Sequence, residues 1–176
     1  VEDLERWLVA QGGKGAVDEA TEGGWRAVHE AAMAGHAAAL RLLLDWGASV
    51  DVVEDGGRSP LHWAALGGHL DVAGMLLLHG ADPNSRDAAL SAPVHGAALR
   101  GHAAMVELMA SFGADLVAVD SWHQTPMHAA VVEGHLALVE LLLGSKNVDL
   151  LMPDLEGHTP LQQAVMMVQV GGGNAS

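Results

Sequence analysis

The chain has no cysteine and no tyrosine, and its aromatic content is five tryptophans and one phenylalanine in 176 residues. No disulfide can brace the fold, and no thiolate can ligate a metal. Aromatics are only 3% of a chain that is 50% hydrophobic, so the core has to be aliphatic. Positive charge is scarce as well. Eight Lys and Arg face 22 Asp and Glu, for a formal net charge of -14, a balance that repels phosphate backbones and anionic lipid surfaces and argues against a nucleic-acid partner. No uninterrupted apolar run of about 18 residues occurs, so no membrane insertion is expected. The opening VEDLERWL is charged rather than signal-like. A soluble protein is expected.

What the chain does have is a phrase that returns at a fixed distance. Histidines stand at 29, 62, 95 and 128, each 33 residues after the last. Their surroundings read AVHEAAMAGH, SPLHWAALGGH, APVHGAALRGH and TPMHAAVVEGH. An alanine pair (Ala31/Ala32, Ala64/Ala65, Ala97/Ala98, Ala129/Ala130) and a Gly-His pair (Gly35-His36, Gly68-His69, Gly101-His102, Gly134-His135) keep the same step. Self-similarity at this period marks a stacked array, in which each unit buries its apolar face only against its neighbours.

Residues 54–86 serve as the template. A turn with Gly56 and Gly57 leads into SPLHWAAL, then GGH, then LDVAGMLLLHGADPN, which predicts two short helices per unit. Ser59 is placed to cap the first helix with its hydroxyl, and Pro60 suits the first helical position, where no N–H is required. Ala64 and Ala65 are small enough for the second helix to approach closely. Gly68 and Gly80 can end the two helices in left-handed conformation, and Val72, Met75, Leu76 and Leu77 form an apolar stripe between them.

This combination of turn, Pro-Leu-His, paired alanines, Gly-His, Val with paired Leu, and closing Gly-Ala resembles the ankyrin repeat. The resemblance covers nearly the whole chain and divides a single domain into a partial unit at 1–20, full units at 21–53, 54–86, 87–119 and 120–153, a partial unit at 154–170 and a tail at 171–176. It implies an all-α solenoid of stacked helix-turn-helix units with projecting β-hairpin-like turns.

The departures from the pattern carry expectations of their own. Arg26 and Ala27 replace the capping hydroxyl and the proline in the first full unit, so its first helix is expected to fray. Leu90 and His123 stand where the turn glycine belongs. In the fourth unit Gly144-Ser145-Lys146-Asn147 replaces the closing Gly-Ala, with Asn147 the candidate for a left-handed turn. Leu4, Trp7 and Leu8 read as the second helix of a unit without its first. The segment LQQAVMMVQV reads as a first helix without a second, which predicts a partly uncovered apolar end at Met166, Met167, Val168 and Val170.

Eleven histidines in an acidic chain raise the question of metal. Eight belong to the repeat and lie one unit apart, so they do not converge on one ion, and no metal or cofactor is expected. The resemblance implies that they hydrogen-bond across unit boundaries instead. His79, His123 and His158 fall outside the phrase and are expected to be isolated and exposed. Asp120, Ser121 and His123 have the residue types of a nucleophilic relay, but neighbours in one short turn do not form the convergent geometry it needs. The Gly171-Gly172-Gly173 run does not follow a strand or open a helix, so it is no phosphate loop.

Residues that the repeat does not need point to a surface. Trp25 and Trp122 are predicted at turn tips, and Trp63 on the first helix, on the face the family keeps concave. Met33, Leu66, Leu99, Arg100, Val132 and Glu133 follow the alanine pairs at corresponding places; Arg58 and Arg100 could select an acidic group, whereas the acidic turn residues Glu22, Asp55 and Glu156 would favour basic ones, and the residues alone do not choose between the two signs. Rigid aromatics with apolar residues and an arginine have the composition of an interface anchor. Trp46, Phe112 and His79 are expected on the side of the second helices. The reading is a non-enzymatic module that binds a protein partner through the concave strip and turn tips, monomeric and cytoplasmic or nuclear. The alternative is the regulatory or substrate-recruiting segment of a larger enzyme, ubiquitin-ligase adaptor or channel.

Overall fold

Proline, a pair of alanines and a left-handed glycine are enough to start, pack and stop a helix of two turns, and this recipe recurs along the chain. The computed structural model describes residues 17–145 and 148–171. Among them, after a single 3-10 turn at Glu22–Gly24, lie nine helices: α1 (Ala27–Met33), α2 (Ala37–Asp45), α3 (Pro60–Gly67), α4 (Leu70–Leu78), α5 (Pro93–Leu99), α6 (Ala103–Ser111), α7 (Pro126–Val132), α8 (Leu136–Leu143) and α9 (Pro160–Gly171). The first helices α1, α3, α5, α7 and α9 pack side by side in one row, and α2, α4, α6 and α8 form a second row against them.

The alanine pairs close the gap between the rows. Ala32, Ala64, Ala65, Ala97, Ala98 and Ala130 are fully buried, and a larger side chain there would have to displace a neighbouring helix. Around them lie Leu40, Leu43, Leu61, Leu76, Met105, Met109, Met127, Leu138 and Leu142, all under 2% exposed. At roughly 1.5–3 kcal/mol for each such side chain, this aliphatic layer is the main source of stability.

The helix caps correct the expectation for Ser59. Its hydroxyl does not accept an orphan amide; it lies 2.9 Å from His62 Nδ1, the atom that accepts the Ser59 N–H at 3.1 Å. The cap is the imidazole. The amides of Arg26, Ala92 and Thr125 donate to His29, His95 and His128 Nδ1 in the same way, each at 3.1 Å. A hydroxyl at the cap position is therefore dispensable, which is how Ala92 serves. Nor is α1 left loose at its start: the Arg26 guanidinium donates to the carbonyls of Asp18, Gly24 and Val53.

Successive turns are tied into a ladder. The amides of Asp55, Ala88, Ser121 and Leu155 donate to Gly23 O, Gly56 O, Ala89 O and Trp122 O at 2.8–3.0 Å, one bond per junction. Each turn keeps a residue in left-handed conformation even where glycine is missing: Gly57 has φ 78°, Leu90 56° and His123 60°. The ladder imposes this shape, and the two side chains bear the strain, about 1–2 kcal/mol at a non-glycine residue. In the fourth unit Gly144 has φ -71°, so it is not a left-handed stop; Asn147 lies outside the described residues, as do Leu4, Trp7 and Leu8.

The last helix differs from its counterparts. At 12 residues, α9 is longer than the 7 or 8 of the other first helices. Its outer side chains are open, with Leu161, Val165 and Met166 at 50%, 52% and 48% exposure. The side chains of Met167, Val168 and Val170 lie outside the described residues.

Candidate binding groove

The face of the first-helix row is not flat, and one register explains why. Glu30, Trp63, Gly96 and Ala129 occupy the same step of α1, α3, α5 and α7. Trp63 builds a wall, and the small Gly96 and Ala129 leave a hollow beside it. The nearest atom to a Cβ placed on Gly96 would be Leu66 Cβ at 3.5 Å, so the floor is open rather than crowded. The resulting groove of about 350 Å³ crosses three consecutive units. Arg58, Trp63, Leu66, Leu99, Arg100 and Trp122 line it, over a floor that includes Pro93, Gly96 and Ala129.

Not all of the expected residues meet there. Trp25 is not a free turn-tip anchor. It is half-buried, its ring lies 5.0 Å from that of Trp63 at 40°, and it meets His29 edge-on at 5.6 Å. The Trp25–Trp63 pair thus joins the first two full units, an arrangement worth about 0.5–1.5 kcal/mol beyond its buried area. Met33, Val132 and Glu133 are exposed but lie outside the groove. Trp122 is 58% exposed at the groove edge. On the other row, Trp46 packs half-buried against the core, whereas Phe112 and His79 are exposed at helix ends.

Arg58 links the groove wall to its neighbour. Its guanidinium carbon stands 5.1 Å from the centre of the Trp63 ring, and Nε lies 3.3 Å from Asp87 Oδ2. Asp87 is buried, and its other oxygen accepts the amides of Ala89 and Ser91 at 2.9 Å. Beneath this layer the Trp63 Nε1–H is shut off from water without an acceptor among the described residues.

Asp87 belongs to a set that the sequence reading passed over. Glu54, Asp87, Asp120 and Asp154 begin successive turns, and the carboxylate of each accepts amides two and four residues ahead. Burial alone would raise the Asp154 pKa, but hydrogen bonds from the His158 and Glu156 amides, with His158 and His128 nearby, outweigh it and hold the pKa below its ordinary value. The signal was available, because these acids recur in phase with the histidines. They are spent inside the fold.

Six of the eight repeat histidines bond in two directions. A backbone amide can only donate, so Nδ1 of His29, His62, His95 and His128 is an acceptor and the proton sits on Nε2. That Nε2–H donates forward along the array, to Val52 O at 3.1 Å, Ser91 O at 3.0 Å, Ala118 O at 3.0 Å and His158 O at 3.3 Å. Burial lowers the pKa of all four, outweighing the carbonyl contacts that oppose it. The second set reaches backward: His69 Nε2 donates to Met33 O at 3.0 Å and His135 Nε2 to Leu99 O at 3.1 Å. His36 is exposed, and His69, His102 and His135 are half-buried. The imidazoles of His69 and His135 also close over glycines of the preceding unit, since a Cβ on Gly35 or Gly101 would fall 2.5 Å from them.

No group of three or more His, Asp or Glu side chains converges on a metal-sized site among the described residues. Asp120, Ser121 and His123 do not form a relay. Asp120 Oδ1 accepts the Trp122 and Gln124 amides, and His123 Nδ1 donates to Pro153 O at 2.9 Å. His123 and His158 are half-buried rather than exposed. Among the described residues no helix is long and apolar enough to cross a membrane.

A family model for ankyrin repeats in three copies matches residues 2–87 and 94–172. No curated protein matches the chain.

Proposed function

The chain belongs to the ankyrin-repeat family, whose members are generally protein–protein interaction modules, and from that premise we propose that it is a non-enzymatic binding module that holds a segment of a protein partner in the groove across its second, third and fourth full units. The observation that carries this reading is the hollow at Gly96 and Ala129, walled by Trp63 and edged by Leu66, Leu99 and Trp122. Trp63 also stacks on Trp25, but Leu99 and Trp122 are 46% and 58% exposed and serve no packing of this kind. Apolar and aromatic residues in a concave site with charged groups at its edge have the character of an interface centre. The turn tip at Trp122 extends the same surface. A monomer in the cytoplasm or nucleus accords with a chain that has no cysteine to oxidise.

Gly96→Leu tests the groove without harming the scaffold. Glycine inside a helix costs about 1 kcal/mol relative to a good helix former, and a Cβ there meets only ordinary contacts, so the variant should be at least as stable as the parent. Its side chain fills the hollow. Proteins retained by the parent chain from a native extract should be lost by Gly96→Leu and kept by Leu78→Asp, an exposed change on the second-helix row. An unchanged set of retained proteins would sink the groove as the binding site.

A further inference from the structure

Resting on the groove reading above, we infer that the segment it holds is an extended peptide carrying an Asp or Glu side chain next to apolar ones, with the carboxylate taken by Arg100 and Arg58. The overall charge of -14 suggests the opposite preference. Screening decides between the two, because exposed charges more than about 10 Å apart scarcely interact at physiological salt, so the groups at the groove itself set the sign.

Accounting for hydrogen bonds at the groove separates what is available from what is spent. Of its two carboxylates, Asp87 has both oxygens engaged, accepting two amides and Arg58 Nε, and Asp120 spends Oδ1 on two amides. The donors are not exhausted. Arg58 uses only Nε, leaving both terminal nitrogens without a hydrogen-bond partner among the described residues, and its side chain is 46% exposed. Arg100, at the end of α5, is exposed and has no hydrogen-bond or ion-pair partner among the described residues. The other arginines of the turns are occupied: Arg26 holds three carbonyls, and Arg86 donates to Leu90 O and Val119 O. A groove whose spare capacity is chiefly the guanidinium donors of two arginines against one oxygen of Asp120, bordered by Leu66, Leu99 and Trp122, matches a ligand that brings carboxylate acceptors and apolar side chains together.

The test is selection from a phage-displayed library of random peptides of about 12 residues, followed by measurement of affinity for the selected peptides synthesised without phosphate. Peptides that bind the parent but not Gly96→Leu should be enriched in Asp or Glu beside Leu, Ile, Val or Phe. Their affinity should fall about tenfold or more for Arg100→Glu, less for Arg100→Lys, and should weaken as salt is raised. Replacing the selected acid by its amide should abolish the difference between the parent and Arg100→Glu. Groove-dependent peptides with no acidic enrichment, bound equally by Arg100→Glu, would overturn this inference and leave the groove reading standing. Peptides that bind Gly96→Leu as well as the parent, or a library that yields no binder, would overturn the groove reading itself.

Discussion

Leu61, Val94 and Met127 occupy one register of the first helices and are at most 1% exposed, whereas Leu161, in the same register of α9, is 50% exposed. One step on, Ala65 and Ala98 are fully buried while Val165 is 52% exposed. The residues are of one kind and the helices start alike, with proline first. What differs is the neighbourhood: α3, α5 and α7 each lie under a second helix, and among the described residues none follows α9. Burial in a stacked array is thus a property of the junction rather than of the residue, as expected when each unit contacts only the next.

The polar links show the same gradient. Asp18, Asp51 and Asn84, one repeat apart, each accept the amide 31 residues ahead, at Ser49, Asp82 and Asp115. Val117 occupies that register next and has no oxygen to offer. The junction between the third and fourth units therefore lacks a side-chain tie that the three before it possess.

The comparison can be broken with one chemistry at two places. Leu76→Ala, at a fully buried site in α4, should cost about 2–5 kcal/mol through the cavity it leaves, while Leu161→Ala in α9 should cost under about 1 kcal/mol. Equal losses in a denaturant titration would mean that the two ends of the array are packed alike. Next in size comes His95→Ala, which strands the Ala92 amide, the Ala118 carbonyl of its own unit and the Gln124 carbonyl of the next, and should cost about 1–3 kcal/mol. His36→Ala, at an exposed imidazole with no hydrogen-bond partner among the described residues, should change stability by less than about 0.5 kcal/mol.

Acid should act on the same contrast. The four buried histidines have lowered pKa values, so their contribution is complete above the ordinary value of 6.5 and is lost as pH falls through the folded values. Protonation places a proton on Nδ1 against the cap amide, which cannot turn away. Melting temperature should therefore drop as pH is lowered from about 7.5 towards 5, with a shallower slope for a His62→Asn/His95→Asn variant. A flat profile would show that these rings take up protons as readily in the folded chain as in the unfolded one. One modest effect has the opposite sign: Leu90→Gly relieves the positive φ of a half-exposed side chain and should stabilise by about 0.5–1 kcal/mol after the added chain entropy is counted. His123→Gly should gain less, because it forfeits the bond to Pro153.

Much of this was readable from residues alone, for a local reason. Proline at the first helical position, glycine after the last and alanine pairs between act over a few residues, and their repetition at one period removed ambiguity. The groove was half legible. Trp63, Leu66, Leu99 and Arg100 could be assigned to one strip from their register, but the hollow depends on Trp63 standing next to Gly96, a relation between units. The Trp25–Trp63 stack was beyond reach for the same reason, since two half-buried rings 38 residues apart in sequence show nothing of their distance in space. The in-phase acids at 54, 87, 120 and 154 were missed although visible, because charge was read as surface before its hydrogen bonds could be counted.

The sequence by itself determined the unit: two short helices and a turn, their lengths, their small contact residues and the order in which they recur. These follow from backbone sterics and helix capping, which need no distant partner. Only the tertiary structure decided which equivalent leucines are covered, that Leu90 and His123 must hold a left-handed turn, and which donors at the groove remain free. Those outcomes depend on what the neighbouring unit places opposite, because stacking forces and hydrogen-bond satisfaction are settled between units and not within one.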